Sequence, residues 1–154
     1  MNVTITERTP APWIGFHLVG LWHEVGPEGF RRLNALHQQY PLQGEWLAVY
    51  YGNPQKDSPS QLAVETVICT PDEVPLPEGI PDVRAGMLAG GTYAVMQAVV
   101  DDGNFAKPWE QLINEWLPTS GWQPDKSRPC FENYLACQTE QGVWNIDLHM
   151  PVKK

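Results

Sequence analysis

The chain has 154 residues, of which 42% are hydrophobic and only 18% charged, and its formal net charge is −8. That is enough apolar material for one substantial core and argues against disorder. No apolar run approaches the roughly 20 residues needed to cross a bilayer, and an acidic surface repels DNA, membrane headgroups and anionic cofactors at long range.

The first residues, Met1-Asn2-Val3-Thr4-Ile5-Thr6-Glu7-Arg8, have no basic stretch followed by an apolar one, so no export signal is expected. Ile14 to Gly20 reads as a strand. A helix is expected from about Pro27, a residue suited to a first turn, with Phe30, Leu33, Leu36 and Tyr40 at helical spacing. Pro41 breaks it. Glu45 to Tyr51 is a strand closed by Gly52-Asn53-Pro54, and Leu62 to Thr70 is another. Residues 72–81, rich in proline and acid, read as a connector. Val83 to Ala89 and Thr92 to Val100 are expected as a hairpin turned at Gly90-Gly91. A helix from about Phe105 to Leu117 carries the stripe Trp109, Leu112, Ile113, Trp116 and Leu117, and Pro118 should end it. Phe131 to Cys137 and Val143 to Val152 are the last strands.

The chain therefore reads as two similar halves, about 1–71 and 82–152, within a single domain spanning 1–154. Trp46-Leu47-Ala48-Val49-Tyr50-Tyr51 aligns with Cys130-Phe131-Glu132-Asn133-Tyr134-Leu135, which sets Ala48 opposite Glu132 and Tyr50 opposite Tyr134. The expected fold class is α+β: tandem β-α-β-β modules with pseudo-twofold symmetry, an antiparallel sheet, two helices on one face and a ligand groove on the other.

Glu132 is the residue that asks for an explanation. A carboxylate in an apolar, aromatic strand is costly unless it is paired, protonated or lining a cavity that uses it. Alternation along the strand puts Tyr134 on its face. A scaffold ion pair with Arg128 or Lys107 is one reading. Capture of an apolar cation by charge and cation–π contact is a second. A protonated Glu132 acting as a general acid on a strained substrate is a third. Trp22, Tyr50 and Trp109 are the further aromatics to follow, although helical spacing alone puts Trp109 in the core. Tyr50 and Tyr51 point to opposite faces, and the register favours Tyr50 for the groove. His17, His23, His37 and His149 have no metal-type spacing and read as surface or satisfied core histidines. Cys69, Cys130 and Cys137 read as reduced core thiols of a cytoplasmic protein. No phosphate loop, zinc motif, nucleophile elbow or dinucleotide fingerprint is present. No cofactor or metal is expected.

Gly15-Phe16-His17-Leu18-Val19-Gly20, Trp22, Glu45 to Tyr51, Gly90-Gly91-Thr92-Tyr93-Ala94-Val95, Phe105-Ala106-Lys107-Pro108-Trp109 and Pro129 to Leu135 stand here in one order. In that order they resemble the DNA gyrase inhibitor (SbmC, GyrI-like) family over nearly the whole chain. The resemblance implies tandem SHS2-like modules around a groove for lipophilic or cationic small molecules. Glu132 would be the binding carboxylate, with Tyr134, Tyr50, Trp22, Phe16 and Trp109 around it. It implies a protein acting alone, with DNA gyrase as partner, in protection against toxins and DNA-damaging compounds. Direct nucleic-acid or membrane binding is not expected. Relatives that hydrolyse the cyclopropane ring of DNA-alkylating natural products imply an enzymatic alternative, with Glu132 catalytic.

Overall fold

The structure, a computed structural model, describes residues 2–138 and 142–154. Its elements run β1 (Val3–Arg8), β2 (Ala11–Val19), α1 (Trp22–Gln39), β3 (Glu45–Tyr51), β4 (Ala63–Cys69), β5 (Arg84–Leu88) and β6 (Gly91–Val100). Then follow α2 (Ala106–Gln111), a π-helical turn (Leu112–Trp116), α3 (Leu117–Ser120), β7 (Gln123–Pro124), β8 (Cys130–Gln138) and β9 (Val143–Lys153). The chain divides into two compact units, Pro10–Ala89 and Gly90–Lys154 with Met1–Thr9. Both are α+β, as expected.

In the unit Pro10–Ala89, the antiparallel sheet has the order β3-β4-β2-β5. The helix α1 lays Gly29, Leu33 and Leu36 against it, the spacing of one helical face. Leu33 and Leu36 pack with Ile14, Phe16 and Ile68. This helix begins at Trp22, earlier than Pro27. Leu21 supplies the extended N-cap residue and Glu24 sits in the first turn, where a negative charge suits the exposed amides. Pro27 lies inside the helix, past the first turn, where it leaves the His23 carbonyl without an amide partner and crowds it with the ring.

In the second unit the order is β8-β9-β6-β1, with β7 added on β9. Each unit thus contains the same β-α-β-β run: β2-α1-β3-β4 in one and β6-α2-β8-β9 in the other. Its core gathers Ala94, Met96, Val100, Leu112, Ile146, Leu148, Met150 and Val152, with Trp109, Trp116 and Leu117 packed on it from the helical segment. That segment does not stop at Pro118. Leu117 N–H reaches back to the Leu112 carbonyl, the wider turn accommodates the proline, and Gly121 at φ 80° closes α3.

The half-repeat boundaries at 71 and 82 require correction, because the edge strands are exchanged between the halves. β1 pairs with β6, and β5 pairs with β2 rather than with β6. Gly90-Gly91 is therefore a crossover and not a hairpin turn. The glycine there serves a side chain instead. A Cβ at Gly91 would stand 2.6 Å from the Arg128 guanidinium, which donates to the carbonyls of Gly90, Thr92 and Val152. Among the described residues, no helix is long and apolar enough to cross a membrane.

Candidate functional site

Glu132 lies in β8 at 1% exposure. Its register partner in β9 is Leu148, and that of Tyr134 is Ile146. Paired residues of an antiparallel ladder share a face. Leu148 and Ile146 belong to the core beneath Leu112 and Trp109, so Glu132 and Tyr134 face the helix of their own unit. The groove was expected on the opposite face. That face instead holds Phe131 stacked on His149 at 4.3 Å, with Tyr93 edge-on to both.

Two aromatic donors hold the carboxylate. Trp109 Nε1 donates to Oε2 at 2.7 Å, and the Tyr134 hydroxyl donates to Oε1 at 2.7 Å. Trp109 comes from α2 and Tyr134 from the next outward position on Glu132's own strand. The aromatic surround continues through Trp144, edge-on to Tyr134 at 5.6 Å, and Phe105, edge-on to Trp144 at 6.0 Å. All four rings are half-buried. The register of β8 on β9 shifts between Tyr134 and Ala136, a bulge that re-aims the strand just past the site.

Among the described residues, neither Arg128 nor Lys107 forms an ion pair with Glu132. Arg128 is committed to Asp125 at 3.4 Å and to backbone carbonyls, and it lies over the Tyr93 ring at 4.7 Å. Lys107 is exposed and contributes no salt bridge among the described residues.

The remaining sequence-derived candidates belong to the other unit. Trp22, at the start of α1, meets Tyr50 with ring centroids 4.9 Å apart, and its Nε1 donates to the Tyr51 carbonyl at 3.1 Å. Phe16 is 2% exposed within the core under α1. Its ring is a packing element there, which corrects its assignment to a ligand surface. Sequence reasoning missed a second buried carboxylate, Glu65, with Tyr51 and His17 bonded to it. The signal was the same as for Glu132, a lone acid in the apolar run Ala63-Val64-Glu65-Thr66-Val67-Ile68.

Comparison with known proteins adds a family. Residues 1–153 match the GyrI-like small molecule binding domain. A DNA gyrase inhibitor of Erwinia billingiae is 43% identical over 154 residues, covering 100% of this chain and 99% of the relative. One from a Pantoea strain is 38% identical over 153 residues, covering 99% of each. Among solved structures, SAV2435 bound to tetraphenylphosphonium aligns with TM-score 0.68 at 16% identity, over 99% of this chain and 94% of that one. A hydrolase from Listeria innocua aligns with TM-score 0.67 at 11% identity, over 98% and 91%. EcmrR in a complex with DNA aligns with TM-score 0.76 at 10% identity; this chain covers 57% of it and is itself 99% covered. These structural likenesses speak to the fold.

Proposed function

Because the chain belongs to the GyrI-like family, we propose that it binds a lipophilic or cationic small molecule at Glu132 and acts on DNA gyrase in protection against toxins and DNA-damaging compounds. The observation that carries the binding reading is the carboxylate at 1% exposure held by two aromatic donors. A buried carboxylate gains most from a ligand that brings positive charge without a tight hydration shell, and ring faces add cation–π attraction. The gyrase role follows the relatives named DNA gyrase inhibitor at 38–43% identity over their full length.

The test has two arms. Tetraphenylphosphonium is titrated into the protein and followed by tryptophan fluorescence, beside Glu132→Gln. A charge-assisted contact contributes about 1.5–3 kcal/mol, so the variant should bind roughly ten- to a hundredfold more weakly; unchanged affinity rejects the site. Supercoiling of relaxed plasmid by gyrase is then measured with each protein added. Inhibition by wild type is expected, and its absence rejects the gyrase role.

One further feature favours a second reading. The Tyr134 hydroxyl sits 2.7 Å from Glu132, close enough for the two to share a proton during catalysis. In that reading Glu132 takes a proton from a water whose oxygen bonds to one carbon of the strained ring of a cyclopropane-bearing alkylator as the ring C–C bond breaks, and the proton passes on to the departing side of the product. Product formed beyond one equivalent of protein supports it; stoichiometric binding without product supports sequestration alone.

A further inference from the structure

Within the unit Pro10–Ala89, a second carboxylate is built into the sheet. Every residue of β4 is buried, and Glu65, its third residue, is 9% exposed. It occupies the face away from α1, because its neighbour Thr66 is the residue that meets Gly29 of that helix. Its register partners are His17 in β2 and Val49 in β3. Each carboxylate oxygen has its own donor. The Tyr51 hydroxyl donates to Oε1 at 2.8 Å, and His17 Nδ1 meets Oε2 at 2.9 Å.

The rim of this cluster is open while its charge is shielded. Tyr51 is 36% exposed and the His17 side chain 25%, against 11% for the Glu65 side chain. When Nδ1–H is given to Glu65, the neutral imidazole keeps its lone pair on Nε2. Among the described residues, Nε2 of His17 has no hydrogen-bond partner. The Tyr51 ring stands tilted at 5.9 Å from the imidazole. With the imidazole neutral, the site presents an acceptor on a part-exposed ring, a negative charge one ring behind it, and an aromatic surface alongside.

Those three features discriminate between ligands. A metal ion wants further protein ligands, and the described residues contain no group of three or more His, Cys, Asp or Glu able to hold one. A quaternary or phosphonium cation has no hydrogen to give Nε2. An alkylammonium ion meets all three needs: its N–H bonds Nε2, its charge is balanced by Glu65, and its carbon skeleton lies on Tyr51. We propose that His17, Glu65 and Tyr51 form a second ligand site, for protonated primary or secondary amines. It shares no residue with the Glu132 site and does not depend on it.

The test reads the His17 ring directly in the intact protein. Benzylammonium is titrated while the imidazole nitrogen resonances of His17 are followed, with benzyltrimethylammonium as the analogue lacking N–H. A saturable shift of His17 Nε2 with benzylammonium is expected, much weaker with the trimethyl analogue. Affinity should fall roughly ten- to a hundredfold in Glu65→Gln and stay unchanged in Glu132→Gln. A His17 Nε2 resonance that does not move in the wild-type protein overturns the proposal whatever the variants do. Equal affinity for the two probes, or full affinity in a folded Glu65→Gln, overturns it as well.

Discussion

Replacing Glu132 by leucine separates a carboxylate kept for function from one kept for the fold. The substitution removes the acceptor for Trp109 Nε1 and the Tyr134 hydroxyl, both at 2.7 Å. Hydrogen bonds to a charged group contribute about 1.5–3 kcal/mol each, so a purely structural role predicts a loss of about 3–6 kcal/mol. Working against that is the several kcal/mol that a carboxylate costs when it is taken out of water, here to 1% exposure. Leucine of similar size would join Leu148, Ile146 and Leu112, while Trp109 and Tyr134, both half-buried, turn their donors toward water. The two contributions nearly cancel, leaving a net change of about 2 kcal/mol or less in either direction. In a chain of this length each kcal/mol moves Tm by about 2–4 °C. Glu132→Leu should therefore melt within about 8 °C of wild type, by circular dichroism, while losing tetraphenylphosphonium binding. Trp109→Phe should be the more damaging single change for its size, because it leaves the buried carboxylate short of a donor. In the Glu132→Leu background the same Trp109→Phe change should cost less by about 1.5 kcal/mol or more. A Tm for Glu132→Leu more than about 10 °C below wild type, with additive behaviour in the double variant, would refute the functional assignment and make the carboxylate a scaffold.

Gly29→Ala should destabilise the protein even though alanine is the better helix former. The new Cβ would stand 2.6 Å from Thr66 Oγ1 and 2.8 Å from its Cγ2, and Thr66 is fully buried. Overpacking of this kind costs about 1–3 kcal/mol against a propensity gain of about 1. Urea titration should show a lower midpoint, restored by Thr66→Ala, which also removes a buried hydroxyl that has no hydrogen-bond partner; a midpoint unmoved by Gly29→Ala would contradict the packing. Burial pushes the Cys130 thiol from 9.0 up to about 11. A raised folded-state value means that the folded state holds its proton more tightly, so this stability is complete below pH about 9 and is lost as pH rises through about 11. The pH profile of Cys130→Ala should be flatter over that window, and a profile parallel to wild type would argue against it. In the native protein, Cys130 should also resist alkylation at pH 8 when peptides are mapped by mass spectrometry.

Much of the second unit's site can be read from the chain because its logic is local. A carboxylate inside Phe131-Glu132-Asn133-Tyr134 is anomalous by composition, and strand alternation puts Tyr134 beside it. Which face those residues take is a different matter. Alternation fixes that Glu132 and Tyr134 agree, but not whether the helix covers them. That depends on the placement of Trp109 above β8, which helical spacing cannot supply. The Gly90-Gly91 turn failed for a related reason. Its local chemistry suits a hairpin, but β6 finds β1 and β9 as partners, and Arg128 fills the space over Gly91. Phe16 was drawn toward the ligand by the company it keeps in sequence, when its register beside Thr66 places it under α1. Glu65 carries the same local anomaly, but its partners His17 and Tyr51 come from two other strands, and the sequence alone does not bring these together.

The two units repeat a frame without repeating a site, and the packing of each helix explains why. In the alignment of the halves, Ala48 takes the place of Glu132, and both face the helix of their own unit. Ala48 pairs with Thr66, and Thr66 presses against Gly29 so closely that a methyl group there would clash. Where α1 approaches the sheet through a glycine, the position opposite has room for a small residue and none for a carboxylate with its donors. In the other unit the helix brings Trp109 to the corresponding place and then widens into the π-helical turn at Leu112–Trp116. The indole acts as a spacer between helix and sheet, and its N–H supplies a bond that Glu132 accepts. The carboxylate of the first unit lies instead on the opposite face, at Glu65, where α1 does not constrain it. Moving a binding acid to the α1 face would therefore take both substitutions together: Ala48→Glu alone should fail to fold, and a large aromatic near Gly29 would be required to lift the helix away.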